Sequence, residues 1–296
     1  MKIVITSFVM PHELDDLERV LIELNKSSKY IDGSNYEICI SMSLSDYLIN
    51  WNESLVSKDY FIQKFNKLKK LTDWTSNSTF QIREDIVGAL QAKRITHTEF
   101  PHATHFIWLD TDIVFDEMGL AYLENGITSI ESNDITKYII TPEVVKYWDT
   151  TWDCVVNENY LDKELDYCKT CNPFTESGIK GDVSVETVSN NVNGQPSFKF
   201  GAGWLVVVSK PLLDTIPLPE AMGAYGPDDT FLMWGMEKLK QRGEDIFQFK
   251  LKNYVVCENF YYRDQSEYDY LIKRINRKDE FLQIAHSAFK PELDKI

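Results

Sequence analysis

No stretch of 18 or more consecutive apolar residues occurs in this 296-residue chain, so no transmembrane helix is expected. Basic residues are scarce: 31 Lys and Arg stand against 46 Asp and Glu, giving a formal charge of −15, and they form no dense stripe. That balance argues against a nucleic-acid backbone or an anionic membrane surface as partner. The five cysteines, Cys39, Cys154, Cys168, Cys171 and Cys257, are odd in number and scattered, which fits reduced thiols better than a disulfide framework. Cys168-Lys169-Thr170-Cys171 has zinc-knuckle spacing, yet no second pair or nearby His supplies the remaining ligands of a closed site. The amino terminus has no charged n-region, apolar h-region and small-residue cleavage site in series. No secretory signal is therefore expected, and the cytoplasm is the expected compartment. Internal repeats and low-complexity segments are missing as well.

What remains is a globular composition, with 43% apolar and 13% aromatic residues, enough for one large core. Strands and helices alternate. Ile3–Phe8 reads as a strand. His12–Ser28 carries Leu14, Leu17, Val20, Leu21 and Leu24 at helical spacing, and Tyr36–Met42 is a second strand, giving a βαβ opening. Helices are expected over Lys58–Leu71, Phe80–Thr98 and Glu117–Ser132, and a strand over Lys137–Thr141 that Pro142 ends. Residues 157–197 are rich in Asn, Ser, Thr, Gly and Asp and read as a loop-rich excursion. A strand over Phe198–Val208 with two glycines near its start follows. Then come a helix over Pro227–Gln241, a strand over Ile246–Cys257, and a charged amphipathic tail over Gln265–His286. The expected class is α/β: a Rossmann-like, mostly parallel sheet flanked by helices. Residues 1–257 would form the catalytic domain, and residues 258–296 a helical extension packed on it.

The most informative segment is Thr104-His105-Phe106-Ile107-Trp108-Leu109-Asp110-Thr111-Asp112-Ile113-Val114-Phe115. Its apolar run reads as a buried parallel strand, which delivers two carboxylates, one residue apart, to the sheet edge where α/β proteins bind ligands. Two hard oxygen donors suit Mg2+ or Mn2+, which commonly share their coordination shell with a substrate diphosphate. The bland alternative is that one Asp caps the next helix and the other is solvated. Far downstream, Tyr225-Gly226-Pro227-Asp228-Asp229-Thr230-Phe231 places two more carboxylates at the positive end of a helix dipole.

The strand ending in Asp110-Thr111-Asp112 resembles the DxD motif of GT-A glycosyltransferases, which use nucleotide sugars as donors. Arg83-Glu84-Asp85-Ile86-Val87-Gly88-Ala89-Leu90 is similar to the Arg-Asn-x-Leu-x-x-x-Ala-Leu pattern that precedes DxD in the Anp1-like mannosyltransferase branch, with Glu84 in place of Asn. Gly201-Ala202-Gly203-Trp204 and the Tyr225–Phe231 segment look like the family's acceptor-side Gly-rich strand and the start of its xED helix.

The resemblance implies the GT-A fold, a nucleoside-diphosphate-sugar donor and a carbohydrate or glycoconjugate acceptor. It implies a metal held by Asp112, with Asp110 helping through a metal-bound water or the ribose. His286 would come from a carboxyl-terminal segment that closes over the donor, as a further metal ligand favouring Mn2+; a helix-end His beside Phe289 is the alternative. Thr6, Ser7 and Phe8 would seat the base and ribose. Arg83 would pair with a phosphate or, equally, with Glu84 or Asp85. On the acceptor side, Asp228 matches the catalytic Asp, with Asp229 next; in an inverting transfer one of them takes the acceptor proton, and in a retaining one this position binds the acceptor. The alternative role for both is helix capping. Gly203, Trp204 and Tyr225 would contact the acceptor, and Trp204, Tyr225 and Trp234 could offer flat faces to sugar C–H groups.

Two rival enzymes share parts of this pattern. Leu109–Val114 also fits the Asp-x-Asp-x-Thr/Val signature of haloacid-dehalogenase phosphatases, but that signature normally ends the first strand of its domain. A nucleotidyltransferase would carry a Gly-rich, Lys/Arg-bearing loop after the first strand, unlike Ser7-Phe8-Val9-Met10-Pro11. A binding module that kept the fold without the reaction would have no need of Asp228 and Asp229.

Overall fold

In the computed structural model, residues 1–52, 54–114, 116–145, 154–157, 159–162, 167–168, 172–201, 203–259 and 272–296 are described. Cys171, Ala202, the side chain of Cys168 and residues 265–271 of the tail lie outside them. Cys39, Cys154 and Cys257 are buried thiols. No helix among the described residues is long and apolar enough to cross a membrane.

The strands that build the central sheet are β1 (Ile3–Val9), β2 (Tyr36–Ser43), β3 (Asn77–Arg83), β4 (His105–Leu109), β5 (Ile113–Val114), β6 (Tyr138–Val144), β7 (Gly178–Thr187), β8 (Leu205–Ser209) and β9 (Phe247–Glu258). Their order is β7-β9-β6-β8-β4-β1-β2-β3, and β5 pairs separately with β9. β3, β2, β1 and β4 are parallel, as are β6 and β9. β8 runs antiparallel to both β4 and β6, and β7 antiparallel to β9. The sheet is thus mostly parallel, with helices on both faces, as the alternating pattern of the sequence implies.

The period-2 alternation of β1 divides the core in two. Ile3 and Ile5 point to one face, under α1 (Leu14–Ser27), α2 (Lys58–Leu68) and α4 (Gly119–Glu131). Val4, Phe106, Trp108 and Val208 point to the other, under α3 (Ala89–Glu99), α5 (Lys210–Thr215) and α6 (Asp228–Gln241). The carboxyl-terminal α7 (Lys278–Leu293) joins this second layer through Ala285 and Phe289, whose ring meets Phe231 edge-on at 5.6 Å. Just before α7, Ile272–Arg274 pairs antiparallel with Ile49–Trp51, tying the tail to the mouth of the sheet.

Three expectations are corrected. The helix expected over Phe80–Thr98 is a strand to Arg83 and a helix only from Ala89. Its first part pairs with β2 from Glu37↔Asn77 to Ser43↔Arg83, and tertiary pairing overrides a mixed local pattern. The strand expected over Phe198–Val208 begins only at Leu205, so Gly201 and Gly203 belong to the approach to it. Finally, β6 runs through Pro142 to Val144. Pro cannot donate to a ladder, and β9 answers with a bulge right after its Leu251↔Pro142 pair.

Where α3 begins, Gly88 meets the Tyr225 segment. A Cβ there would lie 2.3 Å from the Ala224 carbonyl oxygen and 2.7 Å from its carbon, both backbone atoms that cannot step aside. Gly88→Ala is expected to destabilise the fold by about 1–3 kcal/mol, the usual cost of overpacking, and to lower the melting temperature by several degrees in a thermal scan.

Candidate active site

The carboxyl edges of β1 and β4 open into a cavity of about 470 Å³. Phe8 and Met10 enter from β1, Val87, Gly88 and Ala89 from the start of α3, and Asp110, Thr111 and Asp112 from the end of β4. Tyr225 forms one wall, and Arg274, Arg277, Lys278 and Phe281 close it from the carboxyl-terminal segment. Just past β4, the Asp110 N–H donates to the Trp204 carbonyl at 2.9 Å, one step beyond the Leu109↔Leu205 pair of the β4–β8 ladder. The next turn is gripped from α1. Arg19 donates to the carbonyls of Ile113 at 2.5 Å and Thr111 at 3.0 Å, and it is paired with buried Asp16 at 3.4 Å. Burial pushes the Asp16 carboxyl up to about 6 against the pull of Arg19.

Behind the cavity floor, Lys93 of α3 is buried with its Nζ 2.5 Å from Asp228 Oδ2 and 4.6 Å from the centroid of the Trp108 ring. Asp110, Asp112, Asp228, Asp229 and Glu258 all press on this region. Burial drives the Asp110 carboxyl well above the ordinary carboxylate range; Lys93 opposes the shift, while Asp112, Asp228 and Glu258 reinforce it. Burial and the neighbouring Asp228 likewise raise Asp229 to about 6, opposed by Lys93 and by hydrogen bonds from Thr230. The two acids of α6 differ in what they face. Asp228 is occupied by Lys93. Asp229 takes the Thr230 N–H on Oδ1 at 2.6 Å and turns Oδ2 toward Gly203, where a Cβ would come within 3.3 Å of it.

Of the candidates named from sequence, Phe8, Asp110, Asp112 and Tyr225 line one cavity. Gly203 and Trp204 do not line it: Gly203 lies against Asp229, and the Trp204 carbonyl accepts the Asp110 N–H. Thr6 is buried and bonded through Oγ1 to Thr96 at 3.0 Å, and Ser7 is buried with an Oγ that has no partner. Neither lines the cavity. Arg83 ends β3 and is held by both oxygens of Asp85, at 3.0 and 2.8 Å, with Glu99 at 3.5 Å. It does not line the cavity, and the Arg83–Leu90 segment spans a strand end, a turn and a helix start. His286 is exposed, in a shallow groove with Asp279, Gln283 and Ser287. It is five residues beyond cavity-lining Phe281 on the same helix, about 140° around it at 3.6 residues per turn, and does not itself line the cavity. Trp234 is also exposed and packs on Phe289.

For a divalent cation, the described residues contain no group of three or more His, Cys, Asp or Glu able to hold it. They do offer an oxygen-only alternative. Next to Asp112 lies Asn259, fully buried, with neither amide atom hydrogen-bonded, and its backbone N–H donates to the Asp112 carbonyl. Two carboxylates and an orphaned carboxamide fit a hard, oxygen-seeking ion such as Mg2+ or Mn2+. Lys93, Arg19, Asn259 and the Arg274–Lys278 cations escaped the sequence reading. Only Lys93 left a signal: a charge three residues after buried Leu90 and three before buried Thr96, on the inward face of its helix.

No protein-family model matches the sequence, and no curated protein matches it significantly. Among solved structures, the chain is similar to S. aureus TarS 1-349 in complex with UDP-GlcNAc, at 11% identity and a TM-score of 0.46, over 87% of this chain and 59% of that one. It is also similar to GalNAc-T7 with UDP, GalNAc and Mn2+, at 13% identity and a TM-score of 0.43, over 87% of this chain and 43% of that one. HddC from Yersinia pseudotuberculosis has 14% identity and a TM-score of 0.38, over 73% and 80% of the two chains. The chain thus spans 59% of the TarS chain and 43% of the GalNAc-T7 chain.

The raised Asp229 carboxyl makes stability depend on pH. The folded state keeps this proton up to about pH 6, whereas an ordinary Asp loses it near 3.8, so this contribution is fully present below 3.8 and lost as pH rises through 6. Asp229→Asn, which cannot ionise, is therefore expected to gain melting temperature relative to wild type between pH 4 and pH 7. Parallel thermal scans across that range check it, and a constant difference would contradict the charge account.

Proposed function

We propose that this chain is a metal-dependent glycosyltransferase of GT-A fold that moves a sugar from a nucleoside-diphosphate sugar to an acceptor hydroxyl. One observation carries the reading: Asp110 and Asp112 line a cavity of about 470 Å³, and a second acid pair, Asp228 and Asp229, approaches the same sheet edge behind Lys93. Asp110, Asp112 and Asn259 would hold the cation, which supplies Lewis-acid stabilisation of the departing diphosphate. Arg274, Arg277 and Lys278 line the same cavity and add positive charge for the phosphates. Phe8 and Val87 offer apolar surface to the nucleoside.

The acceptor approaches between Gly203, Trp204 and Tyr225. Its oxygen attacks the anomeric carbon, the bond from that carbon to the diphosphate oxygen breaks, and the hydroxyl proton passes to a carboxylate. Asp229 is the better base of the pair, because the Lys93 ammonium already occupies Asp228 Oδ2. A carboxyl raised to about 6 still ionises at neutral pH and accepts a proton more readily than an ordinary Asp. Gly203 leaves Asp229 Oδ2 uncovered by a side chain. Asp228 then acts by fixing Lys93 against the acid cluster.

Asp112→Asn should remain folded and lose metal-dependent stabilisation by nucleoside-diphosphate sugars in a thermal-shift screen run with and without Mn2+. Asp229→Asn should lower kcat by roughly 10²- to 10⁴-fold with donor affinity nearly unchanged. A product that retains the donor's anomeric configuration would remove the base role. A phosphate monoester should give no turnover and no aspartyl-phosphate on Asp110 by mass spectrometry; that adduct would assign the site to phosphatase chemistry instead.

A further inference from the structure

We propose that the side-chain amide oxygen of Asn259 is a direct ligand of the divalent cation held at Asp112, an assignment that rests on the metal reading above. β5 and β9 are antiparallel, with Val114 opposite Cys257 and Ile113 opposite Glu258. The N–H of Asn259 donates to the carbonyl of Asp112, which carries the same register one position further. Residues facing each other across an antiparallel ladder send their side chains to the same face, with Cβ atoms roughly 5 Å apart. Asn259 therefore projects alongside the Asp112 carboxylate, which lines the cavity.

Two further facts point to a ligand. Asn259 is fully buried, and neither Oδ1 nor Nδ2 has a hydrogen-bond partner. Buried polar side chains are nearly always satisfied, so an amide with both ends empty calls for a partner that the protein itself does not supply. A cation beside Asp112 supplies it, since carboxamide oxygens join carboxylates and water around Mg2+, Mn2+ and Ca2+. His286, an exposed imidazole on the outer flank of α7, is then not needed in the shell. An all-oxygen set also leaves the choice between Mg2+ and Mn2+ more open than a His ligand would.

The test is a titration with Mn2+ alone, the free ion followed by electron paramagnetic resonance, on full-length wild type, Asn259→Ala, Asn259→Asp, His286→Ala and Asp112→Asn. Asn259→Ala should bind Mn2+ about tenfold more weakly or worse, the scale on which metal sites respond to losing a supporting group. Asn259→Asp, which keeps an oxygen and adds a charge, should bind at least as tightly as wild type, and His286→Ala should be unchanged. Without metal, Asn259→Ala should melt no lower than wild type, because it removes an unsatisfied buried amide; an Asn kept only for structure would give the opposite. Wild-type Mn2+ affinity in Asn259→Ala, or weakened affinity in Asn259→Asp, overturns this ligand while Asp112→Asn still abolishes binding. Mn2+ binding that survives Asp112→Asn, or is absent from wild type, overturns the metal reading itself.

Discussion

Asp110 and Asp112 at the end of β4 and Asp228 and Asp229 at the start of α6 converge where the protein excludes much of its water, and Lys93 is the buried cation set among them. Like charges in such a medium repel far more strongly than in solution. Burial first, and this repulsion second, raise the Asp110 and Asp229 carboxyls. The Lys93 ammonium has a carboxylate on one side and the face of Trp108 on the other, the two kinds of partner that a desolvated cation accepts. Breaking such a buried pair by deleting one member costs on the order of 3–5 kcal/mol, because the other charge is stranded. The position of α3 follows from the same contact. Its start is pressed through Gly88 onto Ala224, and Arg94 donates to the carbonyls of Pro219 and Gly223 at 3.0 and 3.2 Å. One lysine thereby links the cavity floor, the acid pair of α6 and the loop that carries Tyr225.

The Asp110–Asp112 turn is held by its backbone. Trp204 takes the Asp110 N–H, Arg19 donates to the carbonyls of Thr111 and Ile113, and Asn259 donates its N–H to the Asp112 carbonyl. Three elements distant in sequence thus satisfy the polar groups that a strand end leaves open, and both aspartates line the cavity. A turn anchored in this way is organised before any ligand arrives, so little conformational freedom is lost when an ion or substrate binds.

Much of the frame was legible because period and punctuation carry it. β1, β2 and β4 are apolar runs bounded by turns, α1 shows helical spacing without interruption, and Asp228-Asp229 after Pro227 announces a helix start. The strand β3 was missed for a physical reason. Asn77–Arg83 alternates weakly, and only pairing with β2, not local propensity, makes it extended. The acids of the candidate site were legible because two carboxylates at the end of an apolar strand are unusual in themselves. Their partners were not. Lys93 lies 135 residues from Asp228, and Arg19 lies 94 from Ile113. Asn259 comes opposite Asp112 only through the β5–β9 register. These relations exist in the sheet order, and nothing local in the sequence encodes them.

The cations of the carboxyl-terminal segment resolve an electrostatic difficulty of the proposed reading. A protein with a formal charge of −15 repels a nucleoside diphosphate, and its floor of aspartates does so most of all. At physiological ionic strength, however, that repulsion is screened beyond about 8 Å, so the groups lining the cavity decide the outcome. There, Arg274, Arg277 and Lys278 line the same cavity as Asp110 and Asp112. Arg277 does not sway freely: its guanidinium lies 3.8 Å over the Tyr47 ring, with Nε donating to the Tyr47 carbonyl at 3.0 Å and Nη1 paired with Glu280 at 2.8 Å. The Ile275 N–H donates to the Leu48 carbonyl at 2.7 Å, which fixes the segment to the opposite wall. The cavity therefore has an acidic floor suited to a cation and a basic rim suited to phosphates. A cation and a diphosphate bound together balance both halves, whereas either alone leaves one half uncompensated, so metal and donor are expected to strengthen each other's binding by the same factor.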